Sequence, residues 1–194
     1  MTTQEYNDIM AGDDITDIPK YLRWEEEMIH LVINNNRNMY KKHLCAIAEE
    51  CAELQQELSK FYRGKGILWH MEEELTDVLL SFISTDAVCG IYTKSQTLRM
   101  ASQYPDMENE ELYIIRNLNA LQKTIMDAAC ETNGPSRSYN EQIIKHAEPV
   151  LRDITLIMEH YSIPYENILK IRKYKTERFL KRNGFDERYN YTET

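Results

Sequence analysis

The chain has 194 residues, a net charge of −9 from 23 basic and 32 acidic side chains, and only six Gly and five Pro. Turns need Gly and Pro and helix interiors reject them, so this scarcity excludes β-sandwiches, barrels and Gly-loop nucleotide folds and favours a few long helices. The acidic balance excludes general binding to nucleic acid or anionic membrane, which reward a basic surface, and no apolar run reaches the ~20 residues that span a bilayer.

Residues 1–19 read as an irregular acidic leader without the marks of a signal peptide, which makes the cytoplasm the expected location. Cys45, Cys51, Cys89 and Cys130 form no CxxC pair and are expected to be buried reduced thiols. A first helix is predicted over Tyr21–Ile33, ended by Asn34, Asn35 and Asn36. A second, Tyr40–Phe61, carries Leu44, Ile47, Cys51, Leu54, Leu58 and Phe61 at steps of three and four, which is one helical face. Gly64 and Gly66 break that pattern. A third helix, from about Trp69 to Cys89, has Met71, Leu75, Val78 and Phe82 on its stripe and Gly90 as a C-cap.

A polar stretch containing Pro105 leads to a second pair of helices. The first carries Ile114, Leu118, Leu121, Ile125 and Ala128. After Asn133-Gly134-Pro135-Ser136, the next carries Ile143, Ala147, Val150, Ile154, Ile157 and Tyr161, and Pro149 is expected to kink or split it. Ser162-Ile163-Pro164 forms a turn, and Pro164 opens a basic helix, Tyr165 to about Arg182. The expected architecture is an all-α antiparallel bundle of five to six helices in a single domain, 20–182. It comprises a first hairpin (40–90), a second (108–161), the closing helix (165–182) and a loose tail (183–194). Setting Glu50 against Gln122 and Asp77 against Asp153 brings the two hairpins roughly into phase, as in a degenerate duplication.

The chemistry concentrates in the first hairpin. Helix two contains Glu49-Glu50-Cys51-Ala52-Glu53 and helix three contains Glu72-Glu73-Glu74-Leu75-Thr76-Asp77. Spacing of i, i+3 puts Glu50 beside Glu53 and Glu74 beside Asp77. The midpoint between the two motifs is Arg63-Gly64, within the turn. Residues equidistant from the turn of an antiparallel hairpin lie at one height, so these four carboxylates should converge. Ionised carboxylates crowded together need a cation, and oxygen-only donors suit Mg²⁺, Mn²⁺ or Ca²⁺.

The segments Ala48–Leu54 and Glu73–Leu79 resemble the EExxE and ExxD signature of the all-α nucleoside triphosphate pyrophosphohydrolases, the MazG-like and dimeric dUTPase-like superfamily. Asn167-Ile-Leu-Lys170-Ile-Arg-Lys173-Tyr174 is similar to the segment that closes the substrate pocket there. The resemblance implies that Glu50, Glu53, Glu74 and Asp77 hold Mg²⁺, or Mn²⁺. It further implies that Glu50 or Glu49 deprotonates a water, and that an NTP or dNTP is cleaved to the monophosphate and pyrophosphate. Lys170 and Lys173 would neutralise the phosphate tail with Asn167 on a sugar or phosphate oxygen. Lys60, Arg63 and Lys65 border the turn and would also reach phosphates, and Trp24 or Trp69 would either stack on a base or pack. A homodimer or higher homo-oligomer is implied as well. Two departures stand out: more than seventy residues separate the ExxD helix from the closing segment, and Lys173 replaces the expected Arg. A ferritin-like di-iron bundle needs two Glu-x-x-His motifs, and only Glu27–His30 fits. A non-catalytic interaction or regulatory module on the same fold is the alternative, favoured by the acid-free second hairpin.

Overall fold

The computed structural model describes residues 1–35, 40–89, 110–130 and 137–185. Among these, seven helices and no strands occur: α1 (Thr3–Met10), α2 (Ile18–Asn35), α3 (Tyr40–Tyr62), α4 (Leu68–Cys89), α5 (Glu110–Cys130), α6 (Arg137–His160) and α7 (Tyr165–Arg182). The expectations for Asn36, Gly90, Pro105, the 133–136 break and the end of the tail lie outside the described residues.

The apolar stripes become one core. Leu44, Ile47, Cys51, Leu54 and Leu58 of α3 are fully buried against Met71, Leu75, Val78 and Phe82 of α4, Leu118 and Leu121 of α5, and Val150 and Ile154 of α6. α3 packs on both α4 and α5, α6 packs on α5, and α2 and α7 pack on α4. The second hairpin therefore closes the core within one chain. Gln122, aligned with Glu50, donates to the Ala48 carbonyl (2.8 Å) and accepts from Gln55 (2.9 Å), tying α5 to α3. α4 meets neighbours on several sides. Small clusters complete the packing, with Ile29 and Ile33 of α2 against Ile83 of α4, and Tyr21 against Leu169 of α7.

Three expectations are corrected. The leader is not irregular throughout, because Thr2 and Glu5 form a capping box that opens α1 (Glu5 N to Thr2 Oγ1 3.2 Å; Thr2 N to Glu5 Oε2 2.8 Å). Of the two outcomes expected at Pro149, the split does not occur, because α6 runs through it; the carbonyl that loses its donor belongs to Lys145, an exposed residue. Of the described thiols only Cys51 is buried, while Cys45 and Cys130 are exposed.

The α3–α4 turn fixes the register of the site. Gly64 takes φ +67°, its N–H donates to the Phe61 carbonyl and the Lys65 N–H to the Lys60 carbonyl, both at 2.8 Å, a Schellman ending. A Cβ on Gly66 would stand 2.1 Å from the Phe61 ring, so only glycine lets the chain pass.

Candidate active site

The equidistance from the turn brings the acids together. One carboxylate oxygen each of Glu50, Glu74 and Asp77 lies within 4.8 Å of the others, all three half-buried. Glu53 is exposed at the rim; it stands close enough to raise the pKa of Glu50, Glu74 and Asp77 but outside the tight triad. Burial first, then the Asp77 and Glu53 charges, push Glu50 up to about 7 and Glu74 up to about 8. Burial also raises Asp77, against the opposing pull of Lys175.

Glu74 Oε2 is enclosed and has no hydrogen-bond partner. A buried carboxylate oxygen without a donor costs about 1–3 kcal/mol or more, and a hard divalent cation would satisfy it. The donor set is all oxygen and the acids exceed their neutralising groups, so these residues fit Mg²⁺ or Mn²⁺.

The cation the fold itself supplies is Lys175 of α7. It pairs with Asp77 and with Glu73 (3.0 Å), and those acids raise its pKa despite its burial. Glu73 sits below the usual carboxylate range against the push of burial, held down by the Met1 amine at 2.9 Å and by Lys175. Lys175 was not among the residues singled out from sequence. Its signal is its place on the buried stripe of α7, three residues from Arg172 and four from Ile171, where a lysine needs a partner.

Two of the three acids, Glu50 and Asp77, line a cleft of about 530 Å³, and Glu74 stands behind them outside the lining. Glu50, Glu73 and Asp77 line it together with Lys42, Lys175, Arg178 and Arg182, and Ile29, Val32, Leu80 and Phe179 form an apolar wall. Glu49 is exposed and not part of the lining, as its position 100° around the helix from Glu50 dictates.

The basic residues expected at the phosphates are elsewhere. Asn167 donates to Glu72 (2.9 Å), a fully buried acid that also accepts from Tyr6 (2.7 Å). Lys170 binds the Met10 carbonyl (3.0 Å) and Asp14 (2.8 Å). Lys173 lines, with Lys170, Glu5 and Asp8, a separate cleft of about 340 Å³ between α1 and α7. Lys60 pairs with Glu57, and Arg63 donates to the Ser59 carbonyl (2.9 Å), so both stay at the turn; Lys65 is exposed there. Trp69 packs on Tyr6 and Trp24 on Tyr21, with ring centroids 5.8 and 5.9 Å apart. Physically, α7 spends its Asn167–Lys173 side on α1 and Glu72, which leaves Lys175 facing the acids.

No helix among the described residues is long and apolar enough to cross a membrane. No protein-family model, curated protein or solved structure matches the chain.

Proposed function

We propose that this chain is a divalent-metal-dependent nucleoside triphosphate pyrophosphohydrolase, converting an NTP or dNTP to the monophosphate and pyrophosphate. The observation that carries it is the Glu50–Glu74–Asp77 triad, with an unsatisfied Glu74 oxygen and with two members, Glu50 and Asp77, lining a cleft with cationic and apolar walls. Glu50, Glu74 and Asp77 would hold Mg²⁺ or Mn²⁺, with Glu53 at the rim. When bound, the ion supplies charge neutralisation for the phosphates and a more acidic water.

The chain's own groups then divide the work. Lys175, Lys42 and Arg178 bind phosphate oxygens, taking the part the resemblance gives to Lys170 and Lys173. Glu50 lines the cleft and Glu49 does not, so Glu50 is the carboxylate that takes the proton of the attacking water. The apolar wall around Phe179 and Val32 receives the base and keeps water from it. Pyrimidine deoxynucleotides are the first substrates to test, on resemblance alone. The implied homo-oligomer belongs to this proposal too; exposed Tyr62, Ile67 and Leu68 at the α3–α4 end offer it apolar surface, and light scattering measures it.

The decisive assay is Mg²⁺-dependent pyrophosphate release across a panel of NTPs and dNTPs. Turnover by the parent chain, lost at least a hundredfold in Glu74→Gln with helical circular dichroism unchanged, is expected. A panel with no turnover in Mg²⁺ or Mn²⁺ overturns catalysis. It would leave the non-catalytic helical module, which the pairing of Lys175 with two of the acids favours.

A further inference from the structure

A second set of ligating groups lies between α2 and α4, outside the cleft. Glu26 and His30 are one turn apart on α2 and therefore share a face. Asp86 comes from near the end of α4. One atom of each of these three half-buried side chains lies within 4.8 Å of the others. This is the partner that His30 lacked in the sequence, supplied by tertiary packing and not by Glu27, which is exposed.

Two observations matter. His30 Nε2 is closed off from solvent and has no hydrogen-bond partner. Asp86 Oδ2 stands 3.6 Å from it, beyond the ~2.7–3.2 Å of an N–H···O bond. Two donors on one small dication, each at about 2.0–2.1 Å in tetrahedral geometry, stand roughly 3.4 Å apart. The 3.6 Å between His30 and Asp86 is close to that co-ligand spacing. Beside these residues on the same two helices, Ile29, Ile33 and Ile83 are buried with Leu80 and Ala87 packed against them, which joins α2 to α4 at this level.

We propose that Glu26, His30 and Asp86 form a transition-metal site of the zinc class, separate from the acid triad. The imidazole sets the class: it suits Zn²⁺ and Co²⁺, whereas Mg²⁺ and Ca²⁺ prefer oxygen alone. Three protein ligands leave a fourth position for water. The bound ion fastens α2 to the end of α4, so its binding energy adds to the stability of the fold. This site does not depend on the proposed hydrolysis.

The test uses the full chain carrying Glu50→Gln and Glu74→Gln, which disables the acid triad. Titration with Co²⁺ is followed by its visible absorption and by calorimetry, without nucleotide. One equivalent of Co²⁺ is expected, displaced by Zn²⁺, with a rise in Tm on metal addition. His30→Gln in that background should weaken Co²⁺ binding at least tenfold and abolish the visible band. Asp86→Asn should weaken binding too, and it decides the matter if His30→Gln fails to fold. A parent that takes up no Co²⁺, or a His30→Gln or Asp86→Asn chain that binds it as the parent does, overturns the site.

Discussion

Ser162 sits at φ +54° between α6 and α7, the one described non-glycine residue with positive φ. Its N–H reaches the Glu159 carbonyl (3.2 Å) and the Ile163 N–H reaches Met158 (2.8 Å), the same ending that Gly64 gives α3. A side chain in this region costs about 1–2 kcal/mol, part of which glycine returns as backbone entropy in the unfolded chain. Ser162→Gly is therefore expected to stabilise by roughly 0.5–1 kcal/mol, a Tm rise of about 1–4 °C; a lower Tm in calorimetry would contradict it. Ser-Ile-Pro announces a turn but not which of its residues turns left-handed, because that depends on how α7 docks. The Thr2–Glu5 box is different. Its Thr-x-x-Glu pattern stands in the sequence, and the acidic composition around it hid a helix start.

For the helices, α7 is the instructive case. Its bounds, Tyr165 to Arg182, follow from Pro164 and the basic run, as predicted. Its working face does not follow from the motif. Asn167, Lys170 and Lys173 face α1 and Glu72, and Lys175 faces the acids, since the helix is rotated by the burial of Ile168, Ile171 and Arg172. Arg172 itself is buried in a pair with Glu25, which also accepts from Tyr21 and Thr176 (3.1 Å), and this locks the rotation. Lys175→Met should remove a competing charge from the triad. Mg²⁺ is then expected to bind roughly tenfold tighter, while pyrophosphate release falls because the phosphates lose a cation. Titration calorimetry beside the hydrolysis assay reads both; an unchanged Mg²⁺ affinity would reduce Lys175 to a helix tie.

Across the molecule, the four long stripes of α3 to α6 were legible because periodic apolar positions have one cheap solution, a shared core. The convergence of Glu50, Glu74 and Asp77 was legible for a related reason, since hairpin geometry follows from the turn. What the sequence could not reveal was which cations face the acids, because Lys175, Arg178 and Arg182 arrive from α7 by tertiary docking. The same acids set a pH dependence. Burial pushes Glu50 up to about 7 and Glu74 up to about 8, and Asp86, outside the triad, up to about 6, whereas unfolded carboxylates titrate at about 4. Between about pH 4.5 and 8 the folded chain keeps protons that the unfolded chain has lost, so stability falls as pH rises through that window. Under the proposed function Mg²⁺ would displace the protons of Glu50 and Glu74, and its binding is expected to tighten as pH rises. Melting curves in EDTA and in Mg²⁺ from pH 5 to 8.5 should therefore diverge, and parallel curves would mean that the triad takes up no cation.

The enclosure of α4 by α2, α3 and α7 has a dynamic consequence. A helix held by three neighbours can expose its amides only when at least one of them lets go, so its opening approaches global unfolding. Native-state hydrogen exchange should find the amides around Leu75–Leu79 among the slowest of the described chain, and those of α1, which packs on α7 and buries no residue fully, among the fastest. The acids of α4 are thereby fixed to the slowest-opening part of the protein.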